Sequence, residues 1–86
     1  MNIKFSRHAR RRMKLYDIDE QDVVESVMNN LNRVGTAAGK KEIVDEKYKQ
    51  KYLYPLKTVF VVESELVTIV TTYPLKGKRD NENLLR

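Results

Sequence analysis

The chain contains no cysteine. It therefore has no disulfide framework and no thiolate metal site. Its single histidine, His8, leaves no histidine-rich metal site and no two-histidine acid–base pair. No apolar run approaches the roughly 18 residues of a membrane span, and the first residues lack the apolar segment of a signal peptide. There is no glycine-rich phosphate loop, serine elbow or acidic metal cluster. These absences remove most common enzyme classes. They predict a soluble cytoplasmic protein with no membrane partner, no cofactor and no metal.

The 86 residues suit one domain. A domain of this size has a marginal core, which must be simple. A hydrophobic content of 41% and five tyrosines predict a folded chain.

The net charge of +5 is laid down in blocks. Residues 1–14 carry six basic groups and no acidic ones, and residues 15–32 carry five acidic groups and no basic ones. Residues 33–57 carry seven basic and three acidic groups. Blocks of this kind form patches in three dimensions, and basic patches attract polyanions. Nucleic acid is the usual polyanion for so basic a domain.

The stretch from Phe5 to Tyr16 organises the chain. At helical spacing Phe5, Ala9, Met13 and Tyr16 form one stripe, with Arg7, Arg10, Arg11 and Lys14 opposite. Ser6 is a good N-cap, and Phe5 before it suits a hydrophobic staple. Arg12 and His8 break the pattern. At about 100° per residue Arg12 points into the apolar stripe and His8 to its edge, and residues four apart are neighbours on one face. A polar pair aimed inward is costly unless it is paired or lines a cleft. Arg12 therefore either binds an anion in a cleft or pairs with Asp17, Glu20 or Asp22.

A second helix is expected from the Asp19 cap, with Val23, Val24, Val27, Met28 and Leu31 inward and an end near Asn32. Strands follow: a short one at 33–37, another at 41–45, and an alternating one at 47–54. In that last strand Lys49 and Lys51 share a face opposite Tyr48, Tyr52 and Tyr54, which offer stacking surfaces for bases. Residues 58–63 read as a central strand and 65–73 as the longest. In the longest strand Val67, Ile69, Thr71 and Tyr73 share one face, and Pro74 ends it. Residues 75–86 read as a polar tail with an apolar end at Leu84 and Leu85. The pattern predicts an α+β domain over residues 1–74, with two N-terminal helices packed on an antiparallel sheet of about four strands.

Ser6-Arg7-His8-Ala9, then Arg12-Met13, and finally Val70-Thr71-Thr72-Tyr73-Pro74 carry a resemblance. They resemble the S-x-H-A-x-x-R-M and V-T-x-Y-P patterns of a family of small uncharacterised bacterial and archaeal domains. That family is similar to RelE- and BrnT-like toxins, in the group that also holds barnase, EndoU and colicin-type ribonucleases. The resemblance spans residues 5–74. It implies helices on a curved sheet, metal-independent RNA cleavage in a cleft beside that sheet, and an antitoxin protein as partner. By motif position it places His8, Arg12, Thr71 and Tyr73 in the catalytic site.

Such cleavage needs a base for the 2′-hydroxyl, an acid for the departing 5′-oxygen and cations for the charge on phosphorus. His8 suits base or acid. Arg12 suits the phosphate, because guanidinium offers paired donors. Thr71 and Tyr73 offer further donors. Arg7, Arg11, Lys49 and Lys51 are the candidate RNA-binding cations. The bland alternatives are a solvated basic face, strand-forming threonine and tyrosine, and lysines that blunt an edge strand. Two function classes follow: a small toxin-like endoribonuclease, and a non-catalytic nucleic-acid- or protein-binding module on the same fold.

Overall fold

Ser6 starts the first helix of the computed structural model, which describes residues 1–76. Its hydroxyl accepts from the Ala9 N–H at 3.0 Å, so the cap satisfies a donor that the first turn leaves free. A short strand, β1 (Asn2–Phe5), precedes the cap, and helix α1 (Arg7–Tyr16) follows it. Ala9 and Met13 are buried, as the stripe predicts, while Phe5 is half-buried and Tyr16, at the end of the helix, is exposed. The helix ends at Asp17, which takes a left-handed φ of 56°. The Ile18 N–H then donates to the Met13 carbonyl at 2.8 Å, closing the last turn and burying Ile18 against the core.

Helix α2 (Glu20–Val34) has Asp19 at its N-cap and Glu20 and Asp22 in its first turn, where negative charge suits the dipole. Val23, Val27 and Leu31 are buried, but Val24 is half-buried and Met28, expected on the same stripe, is exposed; Gly35 ends the helix at φ 85°. The helix thus runs past Asn32 to Val34, and the short strand expected at 33–37 does not form. Strand β2 (Gly39–Asp45) comes next, followed by a 3-10 turn (Glu46–Tyr48) and helix α3 (Lys49–Tyr52).

The strand expected at 47–54 is therefore helical. Asp45 caps the turn by accepting from the Lys47 N–H at 3.1 Å. At helical spacing Tyr48 and Tyr52 fall on one side, and both reach acids of α2. The Tyr48 hydroxyl donates to Glu25, and the Tyr52 hydroxyl donates to Asp22 at 2.6 Å. Tertiary hydrogen bonds outweigh the two-residue alternation, and these two tyrosines serve packing rather than offering a row of open stacking faces.

Strands β3 (Leu56–Glu63) and β4 (Leu66–Pro74) complete a four-stranded sheet in the order β1-β4-β3-β2. Strands β2, β3 and β4 are antiparallel neighbours, while β1 lies parallel to β4 with Ile3 opposite Val67. The sheet is thus mixed, because residues 2–5, read as a lead-in, pair with β4. The α+β class and the two N-terminal helices agree with the pattern in the sequence.

One face of the sheet belongs to the core. Leu56, Phe60, Val62, Val67 and Ile69 pack there with Ala9, Met13, Val23 and Val27. A bulge changes the alternation in β4. Thr71 lies opposite Val59 and Ile69 opposite Phe60, which leaves Val70 as the extra residue. Thr72 therefore joins Val67 and Ile69 on the covered face and bonds Thr58 at 3.0 Å. Thr71 and Tyr73 turn to the other face, with Thr68. The single-face grouping of Val67, Ile69, Thr71 and Tyr73 is corrected by that one inserted residue.

Among the described residues no helix is long and apolar enough to cross a membrane. Strand β4 stops at Pro74, and the Leu75 N–H donates to the Pro55 carbonyl at 2.8 Å. Leu84 and Leu85 lie outside the described residues.

Candidate active site

Helix α1 takes up the edge of β4 that β1 leaves free. Strand β1 pairs with β4 only as far as Phe5 opposite Ile69. The next residue, Ser6, donates its N–H to the Ile69 carbonyl and its hydroxyl to the Val70 carbonyl, both at 2.9 Å. The helix thus starts beside the bulge. Six residues of helix, from Ser6 to Arg12, rise about 9 Å, and three residues of strand, from Val70 to Tyr73, advance about 10 Å. Arg12 comes level with Tyr73. Its guanidinium carbon lies 5.3 Å from the centroid of the Tyr73 ring, a cation–π contact.

His8 lies one turn earlier on the same side, exposed to solvent. It lines a shallow groove of about 270 Å³ with Arg11, Arg12 and Leu15. Arg12 is half-buried and is in no ion pair with a carboxylate among the described residues. The tie between α1 and α2 is made by Arg10 and Glu20, 3.6 Å apart and both well exposed. Of the two fates open to Arg12, pairing with Asp17, Glu20 or Asp22 does not occur.

Tyr73 and Thr71 sit two apart on the sheet face outside the core. The Thr71 hydroxyl oxygen is buried and has no hydrogen-bond partner among the described residues. A buried polar atom without a partner is uncommon and marks a place where a ligand atom or water would be welcome. His8 and Arg12 are thus carried by α1 and Thr71 and Tyr73 by β4, and the contact of Arg12 with Tyr73 is what joins the two pairs.

The other four candidates scatter. Arg11 lines the groove with His8, and Arg7 is exposed on the first turn of α1. Lys49 is exposed on α3. Lys51, on the same short helix, lies 2.7 Å from Asp19 and 2.8 Å from Asp22. Helix α3 docks on the start of α2, where the Tyr52 hydroxyl accepts from the Asp19 N–H at 3.0 Å. The structure thus engages Lys51 with acids of α2 rather than aligning it with His8.

These contacts shift titrations. Burial works against the charge on Asp22, but hydrogen bonds from Lys51 and Tyr52 outweigh it and hold the carboxyl below its ordinary value. Burial, then the bond to Asp22, push the Tyr52 phenol up to about 12. Burial and Glu25 raise Tyr48 as well.

One residue that sequence reasoning passed over also faces the candidate site. Lys57 lies directly opposite Tyr73 in the sheet register, and directly opposed residues of an antiparallel pair share a face. Its ammonium lies 3.3 Å from Glu42 of β2. The signal was present: Lys57, Val59 and Val61 alternate, and reading β3 from residue 56 instead of 58 brings Lys57 onto the strand.

Residues 5–74 match the family described as Domain of unknown function (DUF4258). The chain belongs to this family. The DUF4258 region starts at the last residue of β1 and ends at the last residue of β4, so it contains both elements that build the site. No curated protein and no solved structure matches the chain.

Proposed function

We propose that this DUF4258 domain is a metal-independent endoribonuclease, the toxin component of a toxin–antitoxin pair in the cytoplasm. The observation that carries this reading is the Arg12 guanidinium seated over the Tyr73 ring. It joins the stretches 6–13 and 70–74, whose motifs resemble those of a family of small uncharacterised domains similar to RelE- and BrnT-like toxins.

The chemistry assigns one role to each group. The 2′-oxygen of the RNA attacks the adjacent phosphorus and gives up its proton to a base. The bond from phosphorus to the 5′-oxygen breaks, and that oxygen takes up a proton from an acid. The products are a 2′,3′-cyclic phosphate and a 5′-hydroxyl end. His8 performs one of the two proton transfers. Arg12 binds the non-bridging oxygens, where its paired donors meet the charge that grows in the transition state. The Thr71 and Tyr73 hydroxyls donate to the same phosphate. Arg11 and Arg7 draw in the flanking backbone by charge. An antitoxin would act by covering the open sheet face.

The test is cleavage of an end-labelled RNA in chelator by wild type, His8→Ala and Arg12→Ala, with folding checked by circular dichroism and product ends identified. Cyclic phosphate ends from wild type, absent with folded His8→Ala, are the expected result. A wild type that cleaves nothing, with or without ribosomes, rules the enzyme out and leaves a binding module on this fold.

A further inference from the structure

The open face of the sheet holds a second cation. Lys57 projects from β3 directly opposite Tyr73, and its side chain is only 23% exposed. Arg12 reaches the same Tyr73 ring from α1. Two cations from two different elements thus flank one phenol. Opposed residues on neighbouring strands stand about 5 Å apart, which sets the Lys57 stem beside the Tyr73 side chain that Arg12 reaches from α1. Thr71, whose buried hydroxyl has no partner among the described residues, is opposite Val59 in the next pair along this face.

The present partner of Lys57 is no obstacle. Glu42 lies opposite Val59 on β2 and its side chain is half exposed. Ion pairs with a solvated partner are weak, and an ammonium has three donors to share with an incoming oxyanion. The pair keeps the Lys57 ammonium over the sheet until a phosphate arrives.

We propose that Lys57 is the second phosphate-binding cation of this site. The ligand is then a single-stranded nucleic acid whose backbone crosses the open face from α1 to β3, with one phosphate held between Arg12 and Lys57. This rests on reading the open face as an RNA site, and it adds the path of the strand and a residue on another element.

The test uses a fluorescent single-stranded oligodeoxynucleotide, which lacks 2′-hydroxyls and is bound without being cleaved. Its affinity is measured from low to moderate salt for wild type, Lys57→Met, Lys57→Arg and, as a control cation near α2, Lys47→Met. Losing one phosphate contact lowers the slope of log affinity against log salt by about 0.7. That decrease is expected for Lys57→Met, with recovery in Lys57→Arg and none of it in Lys47→Met. The double variant Glu42→Gln/Lys57→Met removes both charges and repeats the measurement without an unpaired carboxylate. An unchanged slope in the folded Lys57 variants overturns the proposal, as does an equal decrease in Lys47→Met or a wild type that does not bind. A wild type that binds through Lys57 yet cleaves no RNA sinks the ribonuclease and keeps the cation.

Discussion

The Ser6 hydroxyl donates to the Val70 carbonyl at 2.9 Å while accepting from the Ala9 N–H at 3.0 Å. One side chain thus caps α1 and fastens it to the bulge of β4. Replacing Ser6 by alanine removes both bonds and leaves a helix donor and a strand acceptor without protein partners. The expected loss is about 1–2 kcal/mol of stability, read by urea unfolding. Ser6→Asp restores the cap to α1 but cannot donate to Val70, so it recovers only part of that loss.

Tyr73 has a ring and a hydroxyl with separable duties. In Tyr73→Phe the ring still supports the Arg12 guanidinium, and only the donor is lost. If the phenol donates to the scissile phosphate, kcat/KM falls by about 10²-fold with folding intact. Equal activity of Tyr73→Phe and wild type on the same RNA assigns the residue to holding Arg12 alone.

Thr71→Val tests the unpartnered hydroxyl. Valine has nearly the same shape and removes a buried polar atom that lacks a hydrogen bond. Stability is expected to hold or rise slightly, since an unmade bond costs the desolvation of the group. RNA cleavage is expected to fall. A drop in melting temperature would instead mean that the hydroxyl is satisfied in solution.

Thr58 and Thr72 make the opposite case on the covered face, where both are fully buried and share a bond of 3.0 Å. Changing either to valine strands the other hydroxyl and costs about 1–3 kcal/mol. Changing both removes donor and acceptor together and is close to neutral. A double-mutant cycle by denaturant unfolding reads the coupling, and additive losses would show that the two hydroxyls do not depend on each other.

The contacts between α3 and α2 predict a stability that falls at both ends of the pH scale. The Asp22 carboxyl is held below its ordinary value, so its contribution is present above about pH 4 and is lost as the pH falls through the lowered folded value. The Tyr52 phenol is pushed up to about 12. Its contribution is complete below about pH 10, where the unfolded phenol titrates, and is lost as the pH rises towards the folded value. Thermal melts at rising alkaline pH should show a steeper decline for wild type than for Tyr52→Phe. Parallel curves would remove Tyr52 from the alkaline transition.

Local chemistry made much of this protein legible in its sequence. Ser6 and Asp19 marked the two helix starts, since a cap is a relation between residues a few positions apart. Ala9, Met13, Val23 and Val27 marked the buried faces by their spacing. The β-branched run from Thr58 and the stop at Pro74 marked the last two strands. Even the polar pair His8 and Arg12 stood out as a break in a periodic pattern. What escaped depends on partners far along the chain. Residues 2–5 form a strand because β4 offers them an edge, which no feature of those four residues announces. Residues 47–52 turn helical because Tyr48 and Tyr52 find Glu25 and Asp22, although their alternation fits a strand equally well. The inserted Val70 moves Thr72 inward and Thr71 outward, a register change that side-chain type does not encode. The sequence by itself determined the helices, the core residues and the odd pair on α1, because these follow from nearest neighbours. Only the tertiary structure set Arg12 over Tyr73 and Lys57 beside it, because that corner exists only once α1 has taken the edge of β4 that β1 leaves free.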